Sequence, residues 1–70
     1  MTKIELYKKV MLTKDYEKKD VNGNITIYKK GLTGLTIDFT NNEKFIIVDI
    51  DSEDYSDSIP ALPIELLEYV

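Results

Sequence analysis

The sequence predicts an all-β domain built from five to seven short strands. Apolar residues recur at every second position through most of the 70 residues, which is the period of a half-buried strand rather than of a helix. An Asn-Gly pair also separates two extended runs, as is typical of a β-hairpin. Since no stretch is long or periodic enough for an ordinary helix, we expect a single small domain over residues 1–70 with a modest core.

The first predicted strand covers residues 8–13, and a hairpin follows it. Extended runs at 16–21 and 24–29 flank the pair Asn22-Gly23. We expect a type I′ turn at this pair, because that turn needs a positive φ at both central residues and Asn and Gly tolerate it best.

The stretch KKGLTGLTIDF, residues 29–39, is predicted to turn and then enter the core strand of the domain. Gly31 would supply a positive φ in the turn, and Gly34 would let two strands approach closely or form a bulge. The apolar positions that alternate with polar residues here, and that we expect to face the core, are Leu35, Ile37 and Phe39.

The most apolar strand is predicted over residues 43–50, after a second candidate type I′ turn at Asn41-Asn42. Paired with the preceding strand, it would complete the central hairpin of the domain. Because it is apolar on both faces, we expect a strongly bent strand packed on two neighbours.

The C-terminal part is predicted to contain an acidic loop at residues 51–57 and a short edge strand at 58–62, where Pro60 is tolerated. Pro63 is well placed to begin a single helical turn, because proline favours the first position of a helix. Residues 67–70 would then form the last strand of the sheet.

The composition excludes several kinds of site. The chain has no cysteine and no histidine, which rules out disulfides, cysteine nucleophiles, histidine acid–base chemistry and the usual zinc sites. We expect no cofactor and no bound metal. The N-terminal lysines are not followed by the apolar segment of a signal peptide, and no apolar run approaches the roughly 20 residues that span a bilayer. We therefore expect a cytoplasmic protein that does not associate with membranes.

Charge is unevenly distributed along the chain, whose net charge is −4. Residues 1–35 contain eight lysines and four acidic residues, whereas residues 36–70 contain one lysine and nine acidic residues. A fold that kept these halves on separate faces would have a dipolar surface. The absence of arginine disfavours specific nucleic-acid readout, which relies on guanidinium contacts.

Three short motifs occur in order: VMLTKD at 10–15, KGLTGLT at 30–36 and LPIELL at 62–67. Together with the order of the predicted elements, they resemble small SH3-like proteins from bacteria and phages. The resemblance implies a strongly bent antiparallel barrel, with the Asn22-Gly23 hairpin as its long excursion and a short 3-10 or helical turn near the C-terminus. The chain has no tryptophan and lacks the aromatic pair of peptide-binding SH3 domains, so we do not expect polyproline binding.

An acidic run is the leading candidate for a partner-binding site. Its residues are Asp49, Asp51, Glu53, Asp54, Tyr55 and Asp57. The run does not match an EF-hand, because Asp54 and Pro60 stand where that loop needs glycine and glutamate. Two interpretations are open: a solvated loop, or an anionic surface that docks on a basic protein in place of nucleic acid.

The lysine-rich half suggests an alternative, a KOW-like module that associates with nucleic acid. The lysines that would contact phosphates are Lys18, Lys19, Lys29 and Lys30. The turn that follows them, before the next strand, contains Gly31 and Gly34. A KH-type glycine clamp needs flanking helices, and a nucleotide-binding loop needs a Gly-Lys-Ser/Thr ending, and the sequence offers neither. Lysines on exposed strands also commonly protect sheet edges.

Catalysis has little support in the sequence. The carboxylate pairs lie on one loop without histidine, and we expect a domain this small to have no cavity of the roughly 300 Å³ that a substrate needs. We therefore expect a binding module and not an enzyme. Low-GC bacteria and their phages encode many small inhibitors, and we expect an anti-CRISPR or an antitoxin or immunity protein. Such a protein would block a basic nuclease or an RNA-guided effector as a monomer or weak homodimer.

Overall fold

A computed structural model describes residues 4–70 as seven strands and one 3-10 helix. In chain order these are β1 (Lys9–Leu12), β2 (Tyr16–Lys19), β3 (Ile25–Tyr28), β4 (Thr33–Phe39), β5 (Phe45–Ile50), β6 (Ala61–Pro63), the 3-10 helix (Ile64–Leu66) and β7 (Leu67–Tyr69). The all-β prediction and the single helical turn near the C-terminus are confirmed.

The strands form two antiparallel sheets. Five of them make one sheet in the order β6-β5-β4-β1-β7, and β2 and β3 make a separate hairpin inserted between β1 and β4. The predicted central hairpin of β4 and β5 is confirmed, and β5 pairs with β6 on its other side. Over residues 4–70 the sheets do not close into a barrel.

The turn between β2 and β3 differs from the predicted type I′ turn. Asn22 has no positive φ, whereas Gly23 has a φ of 84°. The N–H of Gly23 donates to the carbonyl of Asp20 at 3.1 Å, and the N–H of Asp20 donates to the carbonyl of Asn24 at 2.9 Å. Asp20 also accepts the N–H groups of Asn22 and Asn24 through its carboxylate. The result is a three-residue loop with glycine in the left-handed position, the next most common hairpin connection.

The predicted type I′ turn at Asn41-Asn42 is also wrong, because neither residue has a positive φ. The N–H of Phe45 instead donates to the carbonyl of Asn42 at 3.0 Å. The hydroxyl of Thr40 accepts the N–H of Asn42 and contacts the carbonyls of Asn42 and Phe45. Side-chain hydrogen bonds from Thr40 therefore replace the left-handed backbone that a type I′ turn requires.

The buried apolar residues form one core cluster, to which the five-stranded sheet contributes most members and the β2–β3 hairpin contributes Tyr28. Its buried apolar residues are Ile4, Val10, Leu12, Tyr28, Ile46, Val48, Ile50, Leu62 and Leu67. The side chains of β5 alternate, with Ile46, Val48 and Ile50 all facing inward.

The predicted inward face of β4 is wrong. Leu35 and Phe39 are 38% and 50% exposed and Ile37 is half-buried, whereas Gly34 and Thr36 are buried. The register between β4 and β5 also shifts between Thr36 and Asp38, which marks a bulge at Ile37. The buried face of β4 is therefore narrow, and the apolar side chains lie on its other face.

Close contact between β4 and β5 explains this orientation. A Cβ atom at Gly34 would lie 2.6 Å from Cγ1 of Val48, 2.7 Å from the carbonyl oxygen of Asp49 and 2.9 Å from Cα of Ile50. Two of these three atoms belong to the backbone and cannot move without disturbing the sheet. Only glycine fits here, as the predicted close approach required.

Thr36 is fully buried and joins the N-terminal segment to the sheet. Its hydroxyl lies 2.7 Å from the carbonyl of Glu5 and 3.3 Å from that of Lys8, and it accepts the N–H of Lys8 at 3.0 Å. Its backbone N–H donates to the carbonyl of Lys8, and its carbonyl accepts the N–H of Tyr7. A threonine is therefore retained in the core because its polar atoms all have partners.

We expect Gly34→Ala to lower the free energy of unfolding by about 3 kcal/mol, because the added methyl group must displace the backbone of β5. Gly31→Ala is the matched control: no atom lies within 4 Å of its Cβ position, but its φ of 92° disfavours alanine. The control should cost about 1 kcal/mol. Urea unfolding of the two variants measures both, and a Gly34→Ala protein as stable as Gly31→Ala would contradict the close approach.

Candidate functional site

The acidic loop, residues 51–57, follows β5 and has no regular secondary structure. Asp49 lies just before it, on the exposed face of β5. These residues include all six positions predicted as a partner-binding site, and the structure gives them two different roles.

Asp51 fixes the start of the acidic loop. Its carboxylate accepts hydrogen bonds from the ammonium of Lys9 and, at 2.8 Å, from the hydroxyl of Thr33. Its backbone N–H also donates to the carbonyl of Thr33 at 2.9 Å. These bonds, first the one from Lys9 and then the one from Thr33, hold the pKa of Asp51 below its ordinary value. Asp51 is therefore engaged with its own chain.

Tyr55 and Asp57 fix the end of the loop against the β2–β3 hairpin. The rings of Tyr28 and Tyr55 are stacked with centroids 4.9 Å apart, and the Tyr28 hydroxyl donates to the carbonyl of Asp57 at 3.2 Å. The Asp57 carboxylate lies 3.5 Å from the ammonium of Lys18, and the Tyr55 hydroxyl accepts the N–H of Lys29 at 3.3 Å. We call this set of contacts the tyrosine clasp.

The remaining acidic residues point into solvent. Asp49, Glu53 and Asp54 are exposed, and within residues 4–70 no lysine lies within salt-bridge distance of any of them. The N–H of Asp54 donates to the hydroxyl of Ser52 at 3.1 Å, which forms a local turn at the tip. The loop is thus held at both ends, and Glu53 and Asp54 form an acidic tip between them.

Two of the four lysines of the alternative site are paired with acidic residues. Lys18 is paired with Asp57, and the ammonium of Lys29 lies 4.0 Å from the carboxylate of Asp15. Lys19 and Lys30 make no salt bridge within residues 4–70. Two ion pairs, Lys9–Asp51 and Lys18–Asp57, join the lysine-rich half of the chain to the acidic half.

The two glycines of the KKGLTGLTIDF stretch have structural roles. Gly31 has a φ of 92° and its N–H donates to the carbonyl of Leu12 at 2.8 Å. Gly34 is buried against β5. The predicted turn and the predicted close approach are both confirmed, and Gly34 is not accessible to a ligand.

Two open grooves contradict the expectation that the domain has no cavity of about 300 Å³. The smaller, of about 410 Å³, is lined by Glu5, Lys8, Lys9, Tyr69 and Val70. The larger, of about 740 Å³, runs between the start of β2, the residues before β5 and the 3-10 helix; its lining residues are Tyr16, Glu43, Lys44, Phe45, Pro63, Ile64, Glu65 and Leu67. The acidic tip lies outside both grooves. Residues 4–70 contain no group of three or more acidic side chains arranged to hold a metal ion.

In the comparisons with known proteins, the chain matched no family model, no curated protein and no solved structure. Within residues 4–70, the structure has no helix with the length and apolar character needed to cross a membrane.

We expect the tyrosine clasp to weaken at alkaline pH. Burial first, and then the negative charges of Asp57 and of ionised Tyr55, raise the pKa of Tyr28 above its ordinary value. Because the pKa is higher in the folded state, the associated stability is present below about pH 10, the unfolded value. It is lost as the pH rises further through the folded pKa.

Thermal unfolding followed by circular dichroism between about pH 8 and pH 11 measures this effect. The melting temperature of the wild type should fall more steeply above about pH 10 than that of Tyr28→Phe, which has no ionisable hydroxyl. Tyr7→Phe, which alters an exposed tyrosine, is the control and should follow the wild type. Equal alkaline slopes for the wild type and Tyr28→Phe would show that Tyr28 does not titrate with unfolding.

Proposed function

We propose that this protein is a small cytoplasmic inhibitor with an SH3-like fold, which binds a basic nuclease or nucleic-acid effector through its acidic tip. Three features of the topology support an SH3-like assignment. The central sheet has the order β6-β5-β4-β1-β7, a hairpin excursion separates β1 from β4, and a 3-10 helix stands directly before the last strand.

The proposal rests on one observation: some residues of the acidic loop anchor it to the domain, whereas the carboxylates at its tip remain exposed. Asp51, Tyr55 and Asp57 bind the loop to the rest of the domain, so Glu53 and Asp54 are held in place without neutralising partners in residues 4–70. A fixed pair of unpaired carboxylates can occupy a basic groove that normally receives phosphates. Little conformational entropy is then lost from the loop when the complex forms.

The short edge strands β6 and β7 flank the central sheet and can extend the contact surface beyond the acidic tip. Two carboxylates alone mainly raise the association rate and the specificity of a complex, so additional contacts must supply affinity. An inhibitor of the anti-CRISPR or toxin-immunity class would act by covering the effector's nucleic-acid groove. We propose that the acidic tip binds rather than catalyses, because Glu53 and Asp54 lie outside both grooves.

The charge-reversal variant Glu53→Lys/Asp54→Lys tests the proposal. Wild-type protein, immobilised and exposed to a lysate of the host, should capture a basic nucleic-acid-binding protein that mass spectrometry identifies. The affinity of that purified partner for the variant should fall at least about tenfold in titration calorimetry, and its cleavage of nucleic acid should no longer be inhibited. Glu43→Lys/Glu65→Lys changes the net charge equally at exposed acids outside the acidic loop and both edge strands and should bind within about twofold of the wild type.

Equal affinity of the wild type and Glu53→Lys/Asp54→Lys would refute the acidic-tip mode of binding. The KOW-like alternative is less well supported, because Lys18 and Lys29 are paired and Gly34 is buried. It requires a mobility shift of RNA or DNA at about 50 mM salt that disappears steeply as salt is added and that Lys19→Glu/Lys30→Glu abolishes. A shift with those properties would favour the alternative over the inhibitor.

A further inference from the structure

The outer edge of β2 is a free sheet edge within residues 4–70. β2 pairs with β3 alone. The backbone bond between Asp20 and Asn24 makes them a hydrogen-bonded pair, so in the alternating antiparallel ladder Lys18–Thr26 is also such a pair. Glu17 and Lys19 lie between these positions, and their backbone N–H and C=O groups therefore point away from β3.

The side chains on this edge carry opposite charges. Glu17 and Lys19 are two residues apart on the exposed face of β2, and within residues 4–70 neither forms a salt bridge. No backbone hydrogen bond joins either residue to a part of residues 4–70 other than β3. The edge thus has both unpaired backbone groups and unpaired charges.

We propose that β2 pairs antiparallel with β2 of a second copy of this chain, about a two-fold axis at Lys18. Glu17 of each copy then lies opposite Lys19 of the other, and the two hairpins form a four-stranded sheet in the order β3-β2-β2-β3. The interface is self-complementary, as a two-fold interface must be. It goes beyond the proposed inhibitor function and uses different residues.

The charge pattern selects one register. A shift by two residues in one direction places Glu17 opposite Glu17, and a shift in the other direction places Lys19 opposite Lys19. Like charges directly opposite each other are destabilising, whereas opposite charges stabilise a pair of strands. The two Lys18 side chains meet on the other face of the sheet, where each lies 3.5 Å from the carboxylate of its own Asp57.

The free edge of β3 is the rival site for a second copy. It exposes Ile25 and Ile27 but carries no charged residue that would select one register over another. Within the hairpin Ile25 lies directly opposite Lys19 and Ile27 directly opposite Glu17, so both isoleucines already lie beside the aliphatic stems of the charged residues of β2. The contact is far smaller than the roughly 800 Å² per partner of a stable interface, so the dimer is weak and dependent on concentration.

Sedimentation equilibrium of the whole chain between about 10 μM and 1 mM tests the dimer. The wild type should dimerise in this range, and Glu17→Lys or Lys19→Glu should weaken dimerisation at least about tenfold by placing like charges opposite each other. The swap Glu17→Lys/Lys19→Glu restores opposite charges and should recover the wild-type constant to within about threefold. If the single variants weakened dimerisation by damaging the fold, the double variant would be damaged too and would not recover the wild-type constant.

Two proline variants test which edge is used, because each removes one outward-pointing N–H without touching the bonds between β2 and β3. Glu17→Pro should abolish the dimer, and Ile27→Pro should leave it intact; circular dichroism confirms that both are folded. A wild type that remains monomeric, a dimer that survives Glu17→Lys, or a dimer lost only in Ile27→Pro would overturn the proposal. Glu53→Lys/Asp54→Lys should dimerise normally and Glu17→Lys should still capture the effector, so the two proposals fail separately.

Discussion

The insertion of Tyr28 into the core is the interaction on which the rest of the structure depends. A two-stranded hairpin is marginally stable by itself in water, and β2 and β3 share no ladder with the five-stranded sheet. Tyr28 is fully buried and, together with the partly buried Tyr16, packs the hairpin against the core. Its ring also stacks on that of Tyr55, and its hydroxyl donates a hydrogen bond to the backbone carbonyl of Asp57. Tyr28 therefore couples the position of the hairpin to the end of the acidic loop.

The pairing of lysines with carboxylates determines how charge is distributed in this domain. Lys9 and Lys18, from the basic half of the chain, each neutralise a carboxylate in the acidic half. These exposed pairs contribute little to stability individually, but they determine which carboxylates stay unpaired. Glu53 and Asp54 are adjacent in the chain and form no salt bridge within residues 4–70, which is the basis for proposing a basic partner.

Much of the fold could be predicted from the sequence, because period two and short turn signals are local. The limits of the strands and the single turn before β7 depend on neighbours in the chain. The buried face of β4 depends instead on distant parts of the chain. Alternation marks the two faces of a strand but does not show which one faces the core. Gly34 and Thr36 face inward because β5 and residues 5–8 approach them closely. These long-range contacts cannot be predicted from the apolar character of Leu35 and Phe39.

The position of the candidate site in the chain could be predicted, but the separate roles of its residues could not. An acidic run is visible in the sequence, whereas its division into anchoring and exposed residues depends on partners far along the chain. Lys9 and Asp51 are 42 residues apart, and Lys18 and Asp57 are 39 apart. The turn types failed for a related reason: Asp20 and Thr40 satisfy the backbone with side-chain bonds, and a two-residue motif does not include them.

The tyrosine clasp also has a consequence for motion within the native state. Segments that share their tertiary contacts tend to open together as one cooperative unit. The hairpin can leave the sheet only if Tyr28 leaves Tyr55 and Lys18 leaves Asp57, so the end of the acidic loop must be released in the same event. Amide protons in β2 and β3 and those near the end of the loop therefore share one opening equilibrium, and a partner that immobilises the loop slows hydrogen exchange in a hairpin it does not touch.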